Sequence, residues 1–345
     1  MNRPARFAPG VARRAPADTA PVRVAVVGTG EWWGRQHAEL FARRDDTVLV
    51  AVVGRDPDRT AARAREAGTR GYTDIDEMLD REHPELVSVC LPNEGHFEPT
   101  LRLIRASVPL LVEKPLVFDL EQADTLVAEA ASRKLFVGIN FNHRYAKPVR
   151  LAAAAIARGD LGRLAFATWR FGGEAGTSRH PHANLIETQC HGLDMLEHLC
   201  GPIASVMAQA ADPSGAGWST MAVALRFANG AVGSLVGSYD SSYAYPDTHV
   251  VELNGTAGRV QIHDTVRRYS FQAAGDETAR VWQAGYFNDL DRDFHATFDA
   301  HVDALLPALR SGAEPPVPAT AGRRALFLAT AVIRSFETGQ RVTTG

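Results

Sequence analysis

The sequence has little cysteine, no long apolar run and almost no net charge, and each shortage removes a class of protein. Three cysteines, Cys90, Cys190 and Cys200, are spread through 345 residues. That number and spacing build neither a disulfide framework nor a CxxC metal pair. The expectation is reduced thiols and a cytoplasmic protein. Nothing approaches the roughly 18 consecutive apolar residues of a spanning helix. Leu151 to Ala157 is the longest candidate and reads as a helix interior. Lys and Arg number 37 against 40 Asp and Glu, a net charge of −3. Binding nucleic acid through overall charge would need a basic excess. The expected partner is a small molecule, with neither nucleic acid nor membrane.

At about 150 residues per domain, the length predicts two domains. Residues 1–21, rich in Ala, Pro and Arg, read as a disordered extension. Arg13 and Arg14 are not followed by the apolar segment of an export signal. From Val22 the chain alternates short apolar runs with helix signals. The runs are Val22–Val27, Val48–Val53, Leu86–Leu91, Leu110–Val112 and Leu135–Ile139. They are continuous, as strands buried on both faces must be. Asp56-Pro57 reads as a helix start, Gly68 as its C-cap, and Thr73 with Asp76 as an approximate capping box. Residues 22–141 are thus expected to form a doubly wound parallel sheet of Rossmann type. Residues 142–345 have another texture. A helix over 149–158 and a strand over 163–171 come first, and Asn229-Gly230 and NGTAG (254–258) mark hairpins. Helices over 293–310 and 319–338 close the chain. A large, mostly antiparallel open sheet with helices on one face is expected.

Between the first run and the next helix stand Gly28, Thr29, Gly30, Glu31, Trp32, Trp33 and Gly34. Glycines at such a turn let the backbone approach a pyrophosphate, and the helix start offers free N–H groups. The spacing GxGxxxG is one residue longer than the usual fingerprint. A carboxylate at the end of the second strand would mark NAD and an arginine NADP. Here Gly54 occupies the acid's place and Arg55 follows, so NADP(H) is favoured over NAD(H). Glu113-Lys114-Pro115 follows the fifth run, where open α/β sheets bind ligands. Lysine there can bond a substrate hydroxyl and stabilise charge on its oxygen.

With these motifs the chain resembles the glucose–fructose oxidoreductase and inositol dehydrogenase family, Gfo/Idh/MocA. The resemblance runs from Val22 onward. It rests on the glycine loop, Leu91-Pro92-Asn93-Glu94-Gly95-His96, EKPL, NHRY with Pro148, RGDLGRL, and HGLD followed by LCG. It implies a cytoplasmic NAD(P)-dependent oxidoreductase that moves hydride between nicotinamide and a secondary alcohol or ketone of a sugar, cyclitol or related polyol. A homodimer or homotetramer through the second-domain sheet is also implied. The family signature DxGxHxxD falls on residues 187–194. His191 and Asp194 match, Glu187 replaces the aspartate, and Gln189 replaces the glycine. By resemblance His191 is the proton acceptor or donor, Lys114 assists at the same oxygen, and Glu187 supports the pair. Independently, hydride loss from a carbinol carbon leaves a proton that a base must take, and imidazole suits that task. Four residues apart, Glu187 and His191 would share a helix face.

Leu91, Pro92, Asn93, His96 and Glu113 are placed at the cofactor, with His96 alternatively a helix-start residue. Arg144, Tyr145, Trp169, Asn184 and Asp194 are placed at the substrate. For Arg144 and Tyr145 a domain-joining role, and for Trp169 simple packing, stay open. His180, His182, Glu187 and His191 lack a metal-binding order, and no metal is expected. Two other functions compete: a glycosidase that oxidises its substrate transiently on bound NAD, and a non-catalytic dinucleotide sensor.

Overall fold

The computed structural model describes residues 20–92, 95–174, 178, 180–215 and 217–345. The extension assigned to residues 1–21 lies, but for its last two residues, outside the described residues, as does Asn93. The chain forms two compact units, one ending at Leu91 and the other beginning at Pro92.

In the first unit β1 (Val22–Val27), β2 (Thr47–Val53), β3 (Arg70–Tyr72) and β4 (Leu86–Val89) are parallel, in the order β3-β2-β1-β4. Their apolar runs are continuous because helices cover both faces. These are α1 (Trp33–Ala42), α2 (Pro57–Ala67) and α3 (Ile75–Glu82). α2 starts as its sequence predicts: Asp56 accepts from the Arg59 amide, Pro57 is first in the helix, and Gly68 ends it at φ 64°. α3 differs by one residue. Asp74, not Thr73, caps it by accepting from the Glu77 amide. An aspartate one position later takes the role because its oxygen reaches the third amide of the turn. Buried His37 on α1 is fixed to Ser88 on β4 at 2.7 Å.

The second unit opens with α4 (Phe97–Arg105), β5 (Leu110–Val112), α5 (Leu120–Ser132) and β6 (Val137–Ile139), β5 and β6 pairing in parallel. A 3-10 turn (Asn142–Tyr145) and α6 (Lys147–Ala157) lead to β7 (Leu164–Gly172). A π-helical turn (Asn184–Thr188) then precedes α7 (Cys190–Cys200). Next come β8 (Ile203–Ala211), β9 (Thr220–Phe227), β10 (Val232–Ser238), β11 (His249–Gly255), β12 (Gly258–His263), β13 (Arg268–Ala273) and β14 (Arg280–Gln283). α8 (Asp289–Arg292), α9 (Ala296–Ser311), α10 (Ala319–Thr338) and β15 (Val342–Thr343) finish the chain.

Nine of these strands make one sheet, β14-β13-β12-β11-β7-β10-β9-β8-β15, antiparallel except where β10 meets β7. The predicted hairpins are present: β9 and β10 turn at Asn229-Gly230, with Gly230 at φ 90°, and β11 and β12 turn through residues 255–258. Alternate side chains of β9 are buried, as a sheet covered on one face requires. The helix expected over 293–310 is α9, which begins three residues later at Ala296, and the short α8 precedes it.

Arg324 on α10 ties these layers together. Its guanidinium bonds the Glu197 carboxylate of α7 at 2.8–3.2 Å and the carbonyls of Ile203 and Thr344 at 2.9 and 2.7 Å. Removing it strands a part-buried carboxylate and two carbonyls. Arg324→Ala should cost about 3 kcal/mol, read as a lowered urea midpoint at unchanged slope.

Candidate active site

The geometry of the glycine turn suits a dinucleotide. A Cβ on Gly28, at φ 138°, would lie 2.3 Å from the Cys90 carbonyl oxygen, and one on Gly34 would lie 2.7 Å from that of Gly28. Those two glycines serve the close packing of turn, strand and helix. Gly30 differs, since a Cβ there would meet nothing within 4 Å. Its bare backbone faces open space, which suits the close approach of a phosphate. α2, α3 and α5 each begin with an aspartate cap, whereas no side chain caps α1. An uncapped start beside a glycine turn keeps its positive dipole end available to an anion. The residues fit the group.

The extra residue of this loop has an anchor. Arg63 of α2, itself buried, lies 3.3 Å from Glu31 and also pairs with Glu66. Trp32 is 77% exposed. At the end of β2, a Cβ on buried Gly54 would come within 2.3 and 2.6 Å of the Thr29 and Thr60 hydroxyls. Sterics therefore explain why no acid stands there. Asp56 is spent as the α2 cap, and exposed Arg55 is the charged side chain left at that strand end.

In the second unit the glutamate–lysine–proline turn follows β5, whose three residues are all buried. The Lys114–Pro115 bond is cis. Glu113 is buried, with one carboxylate oxygen accepting from the Asn140 side chain and the other from the Lys114 amide. Asn140 in turn holds His301 Nδ1 at 2.8 Å, and the His301 ring stacks on Tyr145 at 4.5 Å. His96 precedes α4 as its N-terminal residue, and its Nδ1 lies 3.0 Å from the Pro115 carbonyl. Glu113 and His96 thus brace the turn from inside.

Lys114 Nζ donates to the main-chain carbonyl of Glu187 at 3.0 Å, joining residues 73 apart. Glu187 does not continue the helix of His191. It sits on the π turn, and α7 starts only at Cys190, so the shared helical face expected for the two is absent. Gln189 is the physical cause. Its amide N–H bonds the Asn184 carbonyl five residues back, and its side chain spans three partners. It accepts from the Trp169 indole at 2.9 Å and donates to the Asn184 side chain at 3.0 Å and the Phe171 carbonyl at 3.4 Å. Asn184 itself donates to the Ser219 carbonyl at 2.6 Å. Trp169 and Asn184 were expected at the substrate. Both are buried and hydrogen-bonded inside the protein, where they hold the π turn.

His191 is buried, and its Nδ1 has no partner among the described residues. His143, from the 3-10 turn, lies flat on it with centroids 3.9 Å apart and planes 9° apart. Phe141 packs edge-on at 5.9 Å. His249 approaches His143 to 5.9 Å, and its Nδ1 bonds the Thr265 hydroxyl. Burial pushes all three imidazoles well below the usual histidine range, His249 to about 3, and the neighbouring histidines reinforce this. The Lys114 ammonium adds to it for His143 and His191. Asp194 does not offset it, because both its oxygens are taken by Arg144 at 2.8 and 2.5 Å. Arg144 and Asp194 therefore form a part-buried fork rather than presenting free charges. One carboxylate oxygen of Glu187 is buried without a partner. Burial raises Cys190 to about 12, which suits a core thiol.

The chain's two halves match family models for the Gfo/Idh/MocA oxidoreductases: an NAD-binding Rossmann fold over residues 22–141 and a C-terminal alpha/beta domain over 154–344. The protein belongs to this family. It is an oxidoreductase. Myo-inositol 2-dehydrogenase of Thermotoga maritima is 24% identical over 335 residues, 92% of this chain and 96% of that one. Inositol 2-dehydrogenase of Rhizobium meliloti is 26% identical, covering 91% and 96%. Levoglucosan dehydrogenase bound to NADH and levoglucosan superposes with a TM-score of 0.83 at 19% identity, covering 94% and 99%.

Of the residues anticipated from sequence, Glu113, Lys114, Glu187, His191, Arg144, Asp194, Tyr145 and His96 are gathered in the second unit. Gly28, Thr29, Gly30, Trp32, Trp33, Gly34, Gly54, Arg55 and Leu91 belong to the first, and Pro92 opens the second. His143, Gln189, Asn140, His249 and His301 were missed. The NHRY run held a signal for His143 as the residue beside Arg144.

Gln189 explains one further glycine. A Cβ on Gly237 of β10 would lie 2.3 Å from the Gln189 carboxamide carbon. Gly237→Ala should destabilise the protein, and Gln189→Gly should relieve most of that loss. Chemical denaturation of the four variants should give a coupling of about 1–3 kcal/mol.

The buried histidines set a pH dependence. Their folded pKa values lie below the unfolded value of about 6.5, so the unfolded chain binds more protons as pH falls. Stability is fully present above that value and lost below it. From pH 7 to 5.5 each of the three should cost about 1.2 kcal/mol, measurable as a falling urea midpoint.

Proposed function

We propose that the protein is an NADP(H)-preferring dehydrogenase or reductase acting on the secondary alcohol or ketone of a sugar, cyclitol or related polyol. The observation that carries this reading is the meeting of Lys114 with the Glu187 carbonyl, four residues before a buried histidine without a Nδ1 partner. The inositol and levoglucosan dehydrogenases that match nearly the whole chain support the substrate class.

Gly28, Thr29, Gly30, Trp32, Trp33 and Gly34 would hold the pyrophosphate, and Gly54 with Arg55 the adenosine ribose. The nicotinamide supplies or accepts hydride. Lys114 bonds the substrate oxygen and stabilises its negative charge. His191, kept neutral by its surroundings, takes the hydroxyl proton in oxidation and returns it in reduction. Glu187 places its carbonyl under the Lys114 ammonium. Arg144 and Tyr145 would border the substrate, with Asp194 holding Arg144. Residues 22–141 are assigned to dinucleotide binding and 142–345 to substrate binding and assembly. Phe166, Met207, Val232 and Val236 are exposed apolar side chains on the nine-stranded sheet. We assign that face to a homo-oligomer in the cytoplasm.

Absorbance at the nicotinamide band, followed with sugars, cyclitols and their ketones, tests the reaction. Lys114→Met and His191→Ala should each lower kcat about 10²- to 10⁴-fold while dinucleotide binding persists. Undiminished turnover in either variant refutes its role, and binding of neither dinucleotide refutes the whole reading. Turnover without net absorbance change would indicate transient oxidation instead. Arg55→Ala should weaken NADP binding about tenfold, roughly 1.4 kcal/mol, and leave NAD binding unchanged in calorimetry.

A further inference from the structure

His143 has no part in the reaction as derived above, yet it makes the closest ring contact of His191. The two imidazoles are parallel within 9° at 3.9 Å. Each is buried, and each has a Nδ1 with no partner among the described residues. A general-base histidine is ordinarily held by a hydrogen bond from its second nitrogen to a carboxylate or carbonyl. His191 lacks that support. What holds its plane is the flat contact with His143 on one side and the edge of Phe141 on another.

We propose that His143 is a positioning residue for proton transfer at His191, and that the stacked pair accepts no more than one proton between its two rings. The inference rests on the reading of His191 as the proton-transfer group. His143 is locked in turn. Phe294 and Phe171 stand edge-on to it at 5.3 and 6.4 Å, and His249 of β11 lies 5.9 Å away. The charged and titratable groups around the pair are few. Lys114 faces it from the turn after β5, and His249 from β11. From α7 comes Asp194, engaged by Arg144, and from α9 comes His301, engaged by Asn140. β7 contributes the apolar ring of Phe171. Among the described residues none of these gives either imidazole a counter-ion. Two imidazolium rings in face contact would repel one another as like charges, so protonating one ring opposes protonating the other. The arrangement keeps His191 an acceptor down to a lower pH than burial alone would.

His143→Phe retains an aromatic stack and removes the second titrating ring. The acid limb of kcat/KM should then move up by 0.5 pH unit or more (roughly threefold in proton affinity). The His191 ring resonance, followed by NMR against pH without substrate, should move the same way. An acid limb and a His191 midpoint that stay in place while only stability changes would overturn the proposal. Should this variant fail to fold, the wild-type titration decides. A single shared protonation step for the pair supports the proposal, and two independent steps overturn it. The NMR readout needs no turnover. Absence of dehydrogenase activity with a shifted His191 midpoint would therefore defeat the functional reading and leave the coupling intact.

Discussion

The bond from the Lys114 ammonium to the Glu187 carbonyl is the constraint on which the rest of the site depends. One end follows a strand with no exposed residue, so the turn after β5 emerges from the core in a single direction. The other end belongs to a π turn rather than to regular helix. A regular helix would carry the Glu187 carboxylate around to the face of His191. The π turn separates the two and leaves the main-chain carbonyl, not the side chain, beneath the lysine. π turns inside helices commonly mark functional positions, because the widened turn redirects a side chain at some cost in regularity.

That irregularity is stabilised by the residue which departs most from the family signature. Glycine in the position of Gln189 would bring no side chain. The carboxamide here holds Asn184, Trp169 and the Phe171 carbonyl together. The facing strand must then do without a side chain at Gly237, and α7 must do without one at Gly192, where a Cβ would lie 2.5 Å from the Trp169 indole nitrogen. One polar side chain thus accounts for two glycines and for the burial of an indole N–H with its hydrogen bond satisfied.

The parallel layer was legible because burial on both faces forces continuous apolar runs, and Val22–Val27 or Leu86–Val89 permit little else. The β9–β10 hairpin was legible because Asn229-Gly230 supplies the positive φ that its turn demands. Lys114 and His191 stood out because short motifs encode local turns and chemistry. Their surroundings did not. His143 reaches His191 from a turn 48 positions earlier, and a one-dimensional pattern holds no record of a stacking partner at that separation. Trp169 stayed open for a related reason: a large amphipathic ring on a strand serves substrate or core equally well until its partner Gln189 is located. The α3 cap was missed by one residue because Thr73 and Asp74 are both competent caps, and backbone geometry alone selects between them.

Electrostatics gives the site its direction. Every charged or titratable neighbour that acts strongly on His191 disfavours the imidazolium: burial first, then His143, Lys114 and His249. The one acid on the same helix turn, Asp194, is neutralised by a two-pronged arginine contact. A histidine in that setting is a ready acceptor and an unwilling cation. In the proposed reaction, an oxygen losing its proton beside Lys114 would place negative charge next to that ammonium. Proton transfer to His191 would then separate charge between two groups already oriented for it, with little reorganisation left for the reaction itself.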